Sequence, residues 1–344
     1  MDRRNLLSPA NIFQSAGLIS STFAANDLQN TQDISLIHIK RRAMATEFDI
    51  SFPLGTNNAV FMGERCLDLI HQLENQLSAY IPNSEIVTLN KNAVKNPVSV
   101  EPQLFQLLSK AKKLSIETNR GFDITSGKLI KMWGFFKGPK RVPTEEEIKE
   151  ILPLFDSDSL ILDKSKNSVF FNKPQIDINL GAIGKGYSLD QVKTLLVNKF
   201  GVSSFIISGG RSSILCGDLT DADSKGWPIA INHPWRKDLA IAKVFIKNQA
   251  LGISAATYNN FEVNGIKYGH VLNPSTGYPA NGVATCVVAA NDATTADALS
   301  TAFYVLGKNA AIEYCQTHKD VGILILPEND KEELLVVGKI SVEF

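Results

Sequence analysis

Five short runs of β-branched or alternating apolar residues follow one another between positions 204 and 290, with no helix-length pattern among them. They are Ser204–Ser208, Ile214–Gly217, Pro228–Asn232, Ile241–Ile246 and Val283–Ala290, bounded by Gly, Asn or Asp as strands usually are. Further strands are expected at Leu36–Arg41, Phe48–Phe52, Val321–Leu326 and Glu333–Val337. Strands that adjoin one another between groups of helices do not fit strict βαβ alternation. The expected class is α+β, with mixed, largely antiparallel sheets and packed helices.

The helices announce themselves by period and by their ends. Residues 59–77 place Val60, Cys66, Leu69, Ile70, Leu73 and Leu77 on one stripe. Pro102 opens a second helix, with Leu104, Leu107, Leu108, Ala111 and Leu114 aligned. Thr144 and Glu147 form a capping box that starts a short helix reaching Leu152. A helix from about Gly186 to Phe200 ends at Gly201, the residue type that best closes a helix. Two more are expected at 294–306 and 308–318. No Pro-rich linker and no repeat divides the chain, which favours one compact unit with two lobes.

Hydrophobic residues make up 44% of the 344 residues and the formal net charge is zero. That composition supports a sizeable core and gives no global pull toward nucleic acid or an anionic membrane, so any phosphate chemistry must come from local arrangement. Cys66, Cys216, Cys286 and Cys315 lie far apart among apolar neighbours, as small core residues do, and imply neither a disulfide framework nor a zinc site. Residues 1–34, rich in Ser, Asn and Gln, read as a flexible N-terminal tail. Arg3-Arg4 with Leu6-Leu7 has the start of a twin-arginine export signal, but Ser8, Pro9, Asn11, Gln14 and Ser15 interrupt the apolar stretch that should follow. The segment is at most a degenerate signal. Residence in the cytoplasm is slightly favoured over export to the periplasm or the outer face of the inner membrane, and no apolar run of about 18 residues provides a transmembrane segment.

Three segments hold residue types suited to chemistry. On the helix at 294–306, Asp297 and Thr301 are four residues apart, so their oxygens share one face and can form part of a hard-cation shell. The same spacing suits a helix cap with a back-bonded threonine. In Asp177-Ile-Asn179-Leu-Gly181-Ala182-Ile-Gly184-Lys185-Gly186-Tyr187, small residues precede a helix N-terminus, an arrangement that favours an anion or serves simply as a tight turn. Neither of the common nucleotide-binding glycine motifs is present there. Gly269-His270 opens a turn-dense loop through Asn273-Pro274-Ser275-Thr276-Gly277 and holds one of five histidines, a residue able to exchange protons near neutral pH. Met44-Ala-Thr46-Glu47-Phe48, Leu77-Ser78-Ala-Tyr80 and Gly121-Phe122-Asp123-Ile-Thr125 are core or turn by themselves, yet supply the flat or flexible walls a ring system prefers.

In this order, with Ser208-Gly209-Gly210 and Ala296-Asp297-Ala-Leu-Ser-Thr301, these segments resemble the ApbE family, the FAD:protein FMN transferases, from about Ile37 to about Val337. The resemblance implies two lobes around a central nucleotide site, with residues 35–344 as the flavin transferase domain. It implies that Met44 and Tyr80 pack on the flavin nucleotide, that Gly121, Phe122 and Asp123 line the FAD site, that Asn179 and Lys185 meet it from the glycine turn, and that His270 lies beside the diphosphate. Mg²⁺ would be held by Asp297, Thr301 and the backbone carbonyl of Ala182. The implied activity is transfer of FMN from FAD to a threonine of an acceptor protein, releasing AMP, with His270 as candidate base.

The chain departs from the family pattern at three places. Asn179 stands where an acid is usual, Asn273 and Ser275 replace an Asp and an Arg, and Ala255-Ala256-Thr257-Tyr258 replaces Ser-Gly-Asp-Tyr. Two other readings therefore stand beside transfer: hydrolysis of FAD to FMN and AMP, and FAD binding with weakened catalysis.

Overall fold

The computed structural model describes residues 34–219, 224–236, 239–255, 260–329 and 333–344. The expected tail and signal-like segment at 1–33 lie outside them, as do Ala256, Thr257 and Tyr258. The chain enters through a hairpin, β1 (Leu36–Ala43) and β2 (Thr46–Pro53), and the helix α1 (Ala59–Leu77). A second lobe follows: α2 (Glu85–Asn92), β3 (Val98–Ser99), α3 (Pro102–Glu117), α4 (Gly127–Met132), α5 (Glu145–Ile151), β4 (Leu160–Asp163) and β5 (Ser168–Phe171). Helix α6 (Gly184–Phe200) returns to the first lobe, which continues through β6 (Ile206–Gly209), β7 (Ser213–Cys216), β8 (Trp227–Asn232), β9 (Ala240–Ile246) and β10 (Ala250–Ala255). The hairpin β11 (Asn260–Val263) and β12 (Ile266–Gly269), then β13 (Val283–Ala290), α7 (Ala293–Thr317), β14 (Gly322–Pro327), β15 (Leu335–Gly338) and β16 (Ser341–Glu343) complete the chain.

The main sheet has eight strands in the order β1-β2-β6-β7-β10-β13-β14-β15, every neighbour antiparallel. Both faces are covered. Cys286 and Val288 of β13 and Ile323 and Ile325 of β14 face a core shared with α3, α7 and the second lobe. The alternate residues Val287, Ala289 and Leu324 face the small sheet β16-β9-β8, against Trp227, Val244 and Ile246. Period-two alternation thus feeds two cores from one strand, which is why all eight residues of β13 are buried. A third cluster joins Phe48, Ile50 and Phe52 of β2 to α1 and α6. The expected α+β class with largely antiparallel sheets is what the chain forms. The four cysteines are buried and unpaired, as their apolar neighbours imply.

Two differences have physical causes. Val60 is 58% exposed, because α1 turns Ala59, Met62, Gly63, Cys66, Leu67 and Ile70 inward instead. The two helices expected at 294–306 and 308–318 do form, as the two halves of α7, parted at Gly307 with φ +76° and ψ −167°. Strand β10, absent from the sequence expectation, lies at the centre of the sheet. Among the described residues no helix is long and apolar enough to cross a membrane.

Candidate active site

The first turn of α7 is held in place by two carboxylates that are not Asp297. Asp292 caps the helix, accepting from the Thr295 N–H at 2.8 Å and the Thr295 hydroxyl at 2.9 Å. Asp190 of α6 accepts from the N–H groups of Ala293 and Thr294, at 2.8 and 2.9 Å, and from the Thr294 hydroxyl. With the cap filled in this way, Asp297 is freed from the structural role its spacing also allowed. Two glycines let α7 approach closely enough to matter. A Cβ on Gly186 would collide with the Ala293 carbonyl, and one on Gly252 with the Ala296 carbonyl.

One turn into α7, Asp297 is buried against α6 and β7. Its Oδ2 accepts from the Gly186 N–H at 2.7 Å and from the Ser213 hydroxyl at 2.8 Å. Gly186 lies in the first turn of α6, where backbone N–H groups have no intrahelical acceptor, and the first of these bonds supplies one from α7. Among the described residues the Ala182 carbonyl, which precedes the helix, is given no donor. Thr301 follows on the same face of α7, its Oγ1 3.5 Å from Ser254 Oγ, which lies 3.0 Å from Ser300 Oγ. Burial pushes the Asp297 carboxyl up to about 7, against the opposing pull of the Lys185 charge and of its two hydrogen bonds.

A desolvated carboxylate, a threonine hydroxyl and the main-chain carbonyl of Ala182 are all oxygen donors, the kind Mg²⁺ prefers. The residues therefore fit a hard divalent cation. Among the described residues no three His, Cys, Asp or Glu side chains gather at one point. A single carboxylate with neutral oxygens leaves much of the shell to be completed by water and by phosphate oxygens.

Around this group stand the other expected residues. Lys185, half-buried, follows the first residue of α6, whose N-terminus has no side-chain cap. Asn179 spends its Oδ1 on the Gly181 N–H at 2.9 Å, fixing the glycine turn. Met44 forms the tip of the β1–β2 hairpin with Ala45, both left-handed at φ +48° and +60°. Its N–H donates to Glu74 at 2.6 Å, and its Sδ lies 3.7 Å from the hydroxyl of Ser188 on α6. Strain of this kind, roughly 1–2 kcal/mol per non-glycine residue, persists where neighbours impose it.

Gly121 packs against α7, where an added Cβ would press on Leu306 and the Ala302 carbonyl. The side chains beside it face inward, contrary to expectation. Phe122 is 2% exposed and belongs to the core. Asp123 accepts from Thr125 N–H, Thr125 Oγ1, Ser157 Oγ and Arg120 Nε, so its lone pairs are committed to the loop. Only main chain in this stretch is left to line a ligand.

Tyr80 and His270 belong to neighbouring clusters. The Tyr80 ring stacks on Phe136, centroids 4.1 Å apart, with the Lys137 ammonium 5.8 Å from its centroid. His270, half-buried, follows β12 and opens the loop to Pro279. Trp133 anchors that loop by donating to the Gly277 carbonyl at 2.8 Å, and Asn273 Oδ1 accepts from the Ser275 N–H at 2.8 Å. The structure thus brings together Lys185, Gly186, Ser213 and Asp297, with Thr301 on the same face of α7, and Met44 reaches Ser188 of the same helix α6. Sequence reading misses Ser213, Ser254, Gly252 and Asp190. The only local signal for any of them is the position of Ser213 just beyond Gly209-Gly210.

The family model described as "ApbE family" matches residues 44–325. A Haemophilus influenzae protein named FAD:protein FMN transferase is 26% identical over 323 residues, 90% of this chain and 92% of that relative. One of the same name from Buchnera aphidicola is 31% identical over 239 residues, 68% and 69% of the two chains. The crystal structure of the ApbE protein from Thermotoga maritima superposes with a TM-score of 0.79 at 27% identity, over 88% of this chain and 96% of that one. The flavin transferase ApbE from Vibrio cholerae, at 23% identity, gives 0.77 over 88% and 97% and speaks for the fold. With a match over well more than half its length, the chain belongs to the ApbE family.

Proposed function

We propose that this chain is an enzyme that moves the FMN half of FAD onto a threonine hydroxyl of an acceptor protein, releases AMP, and uses Mg²⁺ held by Asp297, Thr301 and the Ala182 carbonyl. Family membership supports FMN transfer from FAD. The observation that carries the cation reading is the buried Asp297 carboxylate, fixed through Oδ2 by the Gly186 N–H and the Ser213 hydroxyl, with Thr301 one turn on along the same face of α7. Residues 35–344 constitute the transferase domain in this reading.

The chemistry a divalent cation supplies there is neutralisation of charge on the diphosphate. Lys185 and the uncapped start of α6 attract and orient the same phosphates. The threonine oxygen forms a bond to the FMN phosphorus, the bond from that phosphorus to the bridging oxygen breaks, and AMP leaves with the bridging oxygen. The proton of the attacking hydroxyl passes to an imidazole nitrogen of His270, a residue type able to exchange protons with a substrate hydroxyl. Met44 and Tyr80 wall the flavin nucleotide, and the main chain at Gly121–Asp123 lines its site.

Purified protein incubated with FAD and Mg²⁺, with and without an acceptor containing threonine, tests this. Expected is AMP release that requires the acceptor, with covalent flavin fluorescence on it. AMP without acceptor would instead assign hydrolysis, and FAD binding with no AMP in either case would assign a binding protein. Asp297→Ala is expected to lower AMP formation at least about 100-fold while the protein stays folded. Wild-type turnover in that variant removes the cation assignment.

A further inference from the structure

We infer that Ser213 is a positioning residue for the cation site, holding one oxygen of Asp297 so that the other is offered to the metal. The inference rests on the cation reading above and adds to it the device that aims the carboxylate.

Ser213 lies in a row across three adjacent strands, paired in register with Gly209 of β6 and Gly252 of β10. Its flanking partners carry no side chain. Gly252 leaves the space that the Ala296 carbonyl of α7 occupies, and the absent Cβ of Gly209 would lie 3.6 Å from the Cβ of Lys185. The sheet thus presents a shallow floor to the first turns of α6 and α7, and Ser213 is the member of this row of three that carries a side chain. It is fully buried and donates at 2.8 Å to Asp297 Oδ2.

Oδ2 also receives the Gly186 N–H, so two donors from two elements fix it. Among the described residues Oδ1 of Asp297 has no hydrogen-bond donor, and it is the oxygen left for a cation. A carboxylate held through one oxygen cannot rotate without breaking both bonds. Outer partners of this kind commonly govern metal affinity by 10–100-fold. With alanine at position 213 only the Gly186 N–H would remain on Oδ2, and the carboxylate could turn away from Ala182 and Thr301.

The test uses Mn²⁺ as a paramagnetic probe, with FAD present, and reads free ion by electron paramagnetic resonance. Ser213→Ala is expected to weaken Mn²⁺ binding about 10–100-fold, with FAD binding in the absence of divalent cation unchanged. Ser213→Cys, whose thiol is a weak donor, is expected to fall between alanine and wild type. In an Asp297→Ala background, Ser213→Ala is expected to add no further loss, because the carboxylate that Ser213 holds is already gone. Mn²⁺ binding to folded Ser213→Ala as tight as to wild type overturns the positioning role alone. Absence of Mn²⁺ binding to wild type with FAD overturns the cation reading and this inference together.

Discussion

A carboxyl group lifted to about 7 by burial responds to pH in the opposite sense from a paired surface aspartate. In the cation-free protein, native Asp297 holds its proton more tightly than the unfolded chain, whose aspartates ionise near pH 4. Between about pH 4 and pH 7 the native state therefore binds more protons, so its stability falls as pH rises through that window. Above 7 the loss is complete. Asp297→Asn removes it, so at pH 8 without divalent cation the variant is expected to exceed wild type in stability by on the order of 1–3 kcal/mol. The gap should narrow by pH 5, and urea unfolding at the two pH values measures it. A wild-type protein that is the more stable of the two at pH 8 would show that burial does not penalise this carboxylate. The Asp297–Thr301 spacing is legible in the sequence because it is local. The bonds from the Gly186 N–H and the Ser213 hydroxyl are not, because they arise only where two helices and a sheet converge.

Among the elements, the long helices could be read from the chain because period, cap and stop agree in each. Thr144 and Glu147 do form their reciprocal box, and Gly201 does close α6 at φ +67°. Strand β10 could not be, and the reason is instructive. Its sequence Ala-Leu-Gly252-Ile-Ser-Ala carries a glycine that weakens a strand on its own. That same glycine is what lets α7 lie against the sheet. Gly252→Ala is expected to destabilise the protein by about 2–3 kcal/mol and to weaken Mn²⁺ binding in the presence of FAD, since α7 carries Asp297 and Thr301. Thermal melting and Mn²⁺ titration check the two effects, and an unchanged melting temperature would contradict the tight packing. The β11–β12 hairpin carries a local sequence signal: Asn264-Gly265, left-handed at φ +52° and +78°, between Phe261 and Tyr268. Helix α2, with only Ile86 and Leu89 buried, shows too little periodicity to be found.

At the scale of the whole molecule, a chain of zero formal net charge must gather its attraction for phosphate at one place. In the proposed reading that place is the convergence of α6, α7 and the main sheet, with Lys185 at the helix start. The two-lobed plan was legible because the strand-rich second half and the helices before it differ in pattern. Which helix would join the lobes was not, since α7 contacts α3 and Gly121 of the second lobe as well as β10 and β13. Its break at Gly307 has a further consequence in the time domain. From Thr294 to Tyr304 the helix is largely buried, whereas after the break only Ala311, Tyr314 and Cys315 are. A helix interrupted in this way need not open as one unit. Amide hydrogen exchange should divide α7 into a slow half that opens only with the sheet, and a faster half after residue 307 that opens by itself. Equal protection on both sides would make it a single cooperative rod. If the halves differ, the end of the helix can loosen while Asp297 and Thr301 stay in register with α6 and the sheet.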